Sequence, residues 1–162
     1  MNALARDLQP VELPTVLFVD DDAGNRQAFH AAFRHQMNVL LAADLAEAWE
    51  HLGSKTVHVV IADQRMPQTT GSELLTMVKE RHPTVRRMLV TAYSDLEAII
   101  DAVNNGGVTK YFAKPWVSDH LVKAVQEAYV EITNEAERAN YLTRLEESNR
   151  QLEFALRQRL LS

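Results

Sequence analysis

Five short apolar runs recur along the chain, and each is followed by a stretch with helical periodicity. The runs are residues 16–19, 39–42, 57–62, 87–91 and 108–113. Runs of this length between turn signals read as buried strands rather than core helices. Between them, residues 25–35 carry Phe29, Ala32 and Phe33 at helical spacing. Asp44 is placed to cap a helix holding Leu45, Ala48, Trp49 and Leu52, with Gly53 at its end. Gly71 opens a helix with Leu74, Leu75 and Val78 on one face, stopped by Pro83. Residues 95–105 repeat the pattern with Leu96, Ile99, Ile100 and Val103 before Gly106-Gly107, and Ser118 is placed to cap a long final helix. Strict alternation of strand and helix demands a parallel sheet with helices on both faces. The expected fold class is therefore α/β: a doubly wound, five-stranded parallel sheet with an extended C-terminal helix.

The strand ends carry the chemistry. The first ends in Asp20-Asp21-Asp22, the third in Asp63, the fourth in Thr91 and the fifth in Lys114. Parallel strands bring these ends to one sheet edge, where open α/β sheets hold their ligands. Crowded carboxylates repel one another and favour protonation or a bound cation. A hard divalent ion is the natural partner, and Mg²⁺ prefers one or two carboxylates with water and phosphate oxygens. A threonine hydroxyl and a lysine ammonium suit the other oxygens of a phosphoryl group. A carboxylate can itself accept that group as an acyl phosphate. Singly, each residue has a plainer reading: Asp63 as a turn cap, Lys114 as a solvated lysine, Thr91 as an ordinary strand former. Their convergence on one edge favours the phosphoryl site.

Composition narrows the partners. The 162 residues, 46% of them apolar, suit one domain and an extension. A net charge of -5 does not suggest a nucleic-acid surface. The absence of cysteine excludes disulfides and thiolate chemistry, and the six histidines have no metal-ligand spacing. No run approaches the ~18 apolar residues of a membrane span. Residues 1–15 lack the basic-then-apolar order of a signal peptide. The expectation is a cytoplasmic protein that touches neither nucleic acid nor membrane directly.

Val-Asp-Asp-Asp at 19–22, Ala-Asp-Gln-Arg-Met-Pro at 62–67, Val-Thr-Ala at 90–92 and Lys-Pro-Trp at 114–116 resemble the receiver domain of bacterial two-component response regulators. The resemblance covers roughly residues 15–131 in the same order and spacing. It implies a flavodoxin-like sheet of order 2-1-3-4-5 and phosphoryl transfer from a histidine kinase to Asp63. It implies that Asp21, Asp63 and the backbone carbonyl of Arg65 bind Mg²⁺ directly, with Asp20 acting through water. Thr91 and Lys114 would contact the phosphoryl group, and Tyr111 would be the switch aromatic. The Lys114–Pro115 bond is often cis in that family, as X–Pro bonds permit. Asp-Gln-Arg-Met-Pro with Lys-Tyr-Phe-Ala-Lys-Pro-Trp is similar to receivers fused to HD-GYP phosphodiesterases or to hydrogenase-type transcription activators. Arg65 departs from common receivers. It reads either as a shield of the acyl phosphate against water or as a solvated loop residue. Trp116 reads as packing beneath the last helix.

The expected organisation is a flexible arm at 1–15, a receiver at 16–131 and a helical coiled-coil linker at 132–162. Residues 117–162 hold neither glycine nor proline, so one helix of ~60 Å fits at 1.5 Å per residue. Residues 133–162 balance five glutamates against five arginines. Leu142, Leu145, Asn149, Leu152 and Leu156 follow the 3-4 spacing of a coiled-coil seam. Asn149 at an a position favours a parallel homodimer in one register. Leu121, Val125, Ala128 and Ile132 repeat the spacing out of phase, implying a break near 133–141. A solvated helix folding back on the receiver is the other reading of the tail.

Three functions compete. The first is a phosphorylated receiver, not an enzyme beyond its own phosphorylation and dephosphorylation, that signals through a helical dimer to an output domain. The second is a haloacid dehalogenase-like phosphatase, using Asp20-x-Asp22, Thr91 and Lys114. It lacks an acidic pair beyond the lysine and leaves Asp63 idle. The third is an unphosphorylated dimerisation adaptor, which leaves the acidic cluster without purpose.

Overall fold

A computed structural model describes residues 12–92 and 94–161. Ten elements alternate as the apolar runs demand: β1 (Thr15–Val19), α1 (Ala23–Phe33), β2 (Asn38–Ala42), α2 (Leu45–Ser54), β3 (Val59–Asp63), α3 (Gly71–Arg81), β4 (Arg86–Thr91), α4 (Leu96–Asn105), β5 (Lys110–Ala113) and α5 (Ser118–Leu160). All pairings are parallel and the strand order is β2-β1-β3-β4-β5. The fold class and strand order are those expected. The chain divides into two units, Met1–Tyr129 and Val130–Ser162.

Alternate strand residues face opposite sides of a sheet, and here each side carries its own core. Leu17, Val19, Val60, Ala62 and Leu89 join Leu52, Leu74, Leu75, Val78 and Ala102 of α2, α3 and α4. Val16, Phe18, Val59, Ile61, Met88 and Val90 join Phe29 and Phe33 of α1 and Leu121, Val125 and Ala128 of α5. Phe18 stacks on Phe29 with ring centroids 4.1 Å apart. Trp116 meets both edge-on at 6.3 and 6.2 Å, so it is a packing residue of this layer.

Several element ends differ from the sequence reading. α1 starts at Ala23 because the Asp22 carboxylate accepts from the Asn25 backbone N–H. The third acid of the run is thus a helix cap. Gly53 lies inside α2, which closes through the Lys55 N–H to the His51 carbonyl. Residues 57 and 58 precede β3: Val57 is buried, and the His58 ring accepts from the Thr15 N–H at 2.9 Å. β5 is shorter than expected, with Val108 and Thr109 in the loop before it. Ser118 is the first residue of α5, not its cap. Of the expected arm, residues 1–11 lie outside the described residues. The Pro14 carbonyl accepts from Asn38, and Thr15 already belongs to β1.

At the edge of the sheet opposite the strand carboxyl ends, the buried Arg87 guanidinium donates to three backbone carbonyls. They are Val85 at 2.7 Å, Gly106 at 2.8 Å and Pro83 at 3.4 Å. Burial lowers its pKa. Gly107 next to it adopts φ 58°, which favours glycine.

The tail stripe that was out of phase with the seam has its reason in this packing. Leu121, Val125 and Ala128 belong to the core against the sheet, whereas Leu142, Leu145, Leu152 and Leu156 are exposed along the same continuous helix. The phase break marks a change of task between two stretches, not a stutter within one coil.

Gly71 opens α3 so close to the end of β3 that an added Cβ would overlap the Asp63 carbonyl. Gly71→Ala should therefore destabilise the chain by about 1–3 kcal/mol, the usual cost of overpacking. Urea unfolding followed by circular dichroism checks this. An unchanged midpoint would mean that α3 shifts freely.

Candidate functional site

β1 and β3 are neighbours at the centre of the sheet, so the residues that end them are forced together. One carboxylate oxygen from each of Asp20, Asp21 and Asp63 lies within 4.8 Å of the others. Asp20 and Asp63 are buried and Asp21 is exposed. Asp20 is fixed on every side. Its Oδ1 accepts from the Asp22 N–H at 2.9 Å and its Oδ2 from the Asn25 side-chain amide at 3.0 Å. Its backbone carbonyl accepts from Arg26 at 2.8 Å. Burial pushes the Asp20 pKa above its ordinary 3.8, the Asp22 N–H opposes this, and the charge of Asp63 adds to the rise.

Lys114, one residue beyond β5, reaches across with its Nζ 2.9 Å from Asp63 Oδ1. The Lys114–Pro115 bond that follows is cis, as expected. Thr91 ends β4 with its side chain buried beside the cluster. Its hydroxyl lies 3.3 Å from both Asp95 Oδ2 and the Ala92 carbonyl. The loop after Asp63 is pinned by Gln64. Its backbone N–H donates to Val90, its carbonyl accepts from Gly71, and its side chain accepts from the Ser72 N–H at 2.9 Å.

Arg65 is neither a free loop residue nor turned onto Asp63. Its Nε and Nη2 donate to Asp95 Oδ2 and Oδ1 at 3.1 and 3.2 Å. This pairing holds the Asp95 carboxyl below its ordinary 3.8, more than burial raises it, with the Thr91 hydroxyl helping. Tyr111 stands apart, 53% exposed on β5. Asp20, Asp21, Asp63, Thr91 and Lys114 thus meet at one edge; Tyr111 does not join them in this state. Sequence reasoning missed Asp95 and Asn25. An aspartate just before a helix reads as a cap, so nothing in the local pattern marks Asp95 for the site.

The donor set is all hard oxygen and held close, with one carboxyl raised by burial and then by its neighbour's charge. It suits a divalent cation with oxygen preference, and a phosphoryl group between that cation and Lys114.

A flavodoxin-like sheet with this acidic carboxyl edge defines a class of molecular switch, and the comparisons agree. Residues 16–126 match the response regulator receiver domain family, and the chain belongs to it. It is 40% identical over 114 residues to the hydrogenase transcriptional regulatory protein HoxA of Cupriavidus necator, covering 70% of this chain and 24% of that protein. It is 36% identical over 114 residues to the DNA-binding transcriptional regulator NtrC of Escherichia coli K12, with the same coverage of 70% and 24%. The chain thus spans about a quarter of the length of these curated relatives. Among solved structures, the signal receiver domain of an HD domain-containing protein from Pseudomonas fluorescens Pf-5 matches with TM-score 0.72 and 28% identity. That likeness covers 76% of this chain and 99% of that one. The hydrogenase-type neighbour expected from the Asp-Gln-Arg-Met-Pro and Lys-Pro-Trp motifs is thus represented, and so is a receiver from an HD domain-containing protein. Among the described residues no helix is long and apolar enough to cross a membrane.

The raised Asp20 pKa fixes the sign of a pH effect. The folded chain takes up this proton more readily than the unfolded chain, so lowering the pH toward 3.8 relieves the strain of the charged form. Without divalent ions, Asp20→Asn should be more stable than the parent at pH 7, and the gain should shrink as the pH approaches 3.8. Millimolar Mg²⁺ should stabilise the parent more than the variant. Urea midpoints in EDTA and in Mg²⁺ test both halves. A variant less stable than the parent at neutral pH would reject the crowding argument.

Proposed function

We propose that this chain is a phosphorylation-switched receiver whose acceptor is Asp63 and whose donor is the phosphohistidine of a histidine kinase. The observation that carries it is the Lys114 ammonium 2.9 Å from Asp63 Oδ1 at the rim of the three-carboxylate cluster. In the transfer an Asp63 Oδ–P bond forms as the donor's P–N bond breaks. The electron pair of that bond stays on the imidazole nitrogen, which takes a proton from solvent. Mg²⁺ would be held by Asp21, Asp63 and the Arg65 backbone carbonyl, with Asp20 acting through water. When bound, it supplies positive charge for the phosphoryl oxygens. Lys114 offsets further charge on the same group. The Thr91 hydroxyl turns to a phosphoryl oxygen, and Tyr111 moves inward into the space Thr91 leaves.

No enzymatic activity is proposed beyond self-catalysed phosphorylation and dephosphorylation. The phosphatase reading is weakened by Asp22, whose carboxylate is engaged in capping α1, and it leaves the Asp63–Lys114 pair unexplained. The relatives named as transcriptional regulators support an output domain as the recipient of the signal.

The tail adds a parallel homodimer. Leu142, Leu145, Leu152 and Leu156 are all exposed at seam spacing, and Asn149 falls within that seam. This seam does not depend on the phosphoryl site, so the dimer persists with or without phosphate. Phosphorylation alters how the two receivers pack more than it alters mass.

With Mg²⁺ and acetyl phosphate, acid-labile label should map to Asp63, and Asp63→Asn should abolish it without loss of fold. Undiminished labelling of the variant would point to Asp20 as the nucleophile instead. Sedimentation of the whole chain at tens of micromolar should give a dimer, and a version ending at Ile132 a monomer. A monomeric whole chain, or equal dimerisation of both, would reject the coiled coil.

A further inference from the structure

Asp95 is the N-cap residue of α4, yet its side chain makes no cap hydrogen bond. Asp22, Asp44 and Thr70 each cap their helices by accepting from the N–H three residues on. The Asp95 carboxylate is drawn elsewhere. Both its oxygens accept from the Arg65 guanidinium, and Oδ2 lies within reach of the Thr91 hydroxyl. Thr91 is the residue whose hydroxyl a phosphoryl group on Asp63 would engage, and Arg65 follows Asp63 by two positions.

We propose that Asp95 is a positioning residue that competes with the phosphoryl group on Asp63 for Arg65 and Thr91, and that on losing them it turns back to cap α4. This rests on Asp63 being the phosphoacceptor.

The competition follows from donor inventory. A hydroxyl has one hydrogen, so Thr91 serves one acceptor at a time. The Nε–Nη2 edge of Arg65 now paired with Asp95 matches one carboxylate or two phosphoryl oxygens, so that edge serves one of them at a time. A phosphoryl group on Asp63 carries close to two negative charges in place of the single charge of the free carboxylate. The released carboxylate stands at the N-terminus of α4, where unpaired N–H groups and the helix dipole attract an anion. Two arrangements therefore exist. At rest, Asp95 holds Arg65 and shares the Thr91 hydroxyl with the Ala92 carbonyl, and α4 lacks its side-chain cap. In the loaded state the phosphoryl group holds both and Asp95 accepts from the Ala98 N–H, three residues on. Phosphorylation biases the equilibrium through its differential contacts with the two arrangements. The competing account makes the Arg65–Asp95 pair a plain bridge that steadies two loops.

Beryllofluoride titration of the whole chain in Mg²⁺ separates the accounts, using Asp95→Asn, Arg65→Gln and the double variant. Competition predicts that Asp95→Asn binds beryllofluoride about fivefold or more tightly than the parent, at the lower end of ordinary coupling between sites. It predicts that Arg65→Gln weakens binding, and by a larger factor in the Asp95→Asn background, where the guanidinium is no longer held elsewhere. Hydrogen exchange at the Ala98 amide reads the cap. It should slow about fivefold on beryllofluoride binding in the parent, the usual worth of a cap. It should already be slow in unliganded Arg65→Gln and respond in neither state of Asp95→Ala. A bridge predicts equal or weaker binding in Asp95→Asn and an unresponsive Ala98. That outcome, in a parent that still binds beryllofluoride at Asp63, overturns the competition and leaves the acceptor assignment standing. A parent that takes up no beryllofluoride removes both.

Discussion

Three carboxylates within 4.8 Å of one another are an arrangement that no short peptide would hold. Their mutual repulsion must be opposed by something stiffer than the loops that carry them. Here it is opposed by two central strands whose ends have no room to diverge. β1 and β3 pair through four residues, and each is buried on both faces along that pairing. Asp20 is then fixed by the Asp22 N–H, by Asn25 and, through its own carbonyl, by Arg26. Burial chiefly raises the Asp20 pKa, and the charge of Asp63 adds to the rise. The two-sided core is thus more than a source of stability. It is the device that keeps like charges together.

Around this fixed centre the neighbouring groups are arranged in pairs that can change partners. Lys114 lies on Asp63, and Arg65 and Thr91 lie on Asp95. Each contact joins residues from different strand ends or loops, so rearranging one moves backbone as well as side chain. The centre is rigid because its strands are interior. The rim is exchangeable because its contacts are polar and most lie near solvent, where the energies of alternative pairings lie close together.

The sequence made the centre legible and the rim much less so. Apolar runs of strand length, four of the five ending in an acid, a hydroxyl or an amine, located Asp20, Asp21, Asp63, Thr91 and Lys114 on one edge. The Asp95–Arg65 pair spans 30 residues and leaves no periodic trace. Asp95 also sits where a cap is ordinary, which conceals it. Asp22, adjacent to two site acids, enters only the phosphatase reading of the sequence, and in the fold it serves a helix end. The early α5 stripe and the later seam look alike in sequence because a face that packs on a sheet has the same spacing as one that packs on another helix. Only burial distinguishes Leu121 and Val125 from Leu142 and Leu145.

Arg87 lies far from this chemistry in the fold, but it bears on how α4 is able to move. Its guanidinium grips the Gly106 carbonyl just past the last turn of α4, together with the carbonyls of Val85 and Pro83. The far end of the helix is therefore anchored, whereas at its near end the Asp95 side chain makes no cap hydrogen bond. A helix anchored at one end pivots more readily than it slides. A motion begun at Asp95 would displace Leu96 most and Gly106 least. The exposed apolar side chains Leu96, Ile100 and Val103 of α4 would then travel unequally. A surface that tilts in this way presents a changed angle to whatever reads it, with its hydrophobic content unaltered.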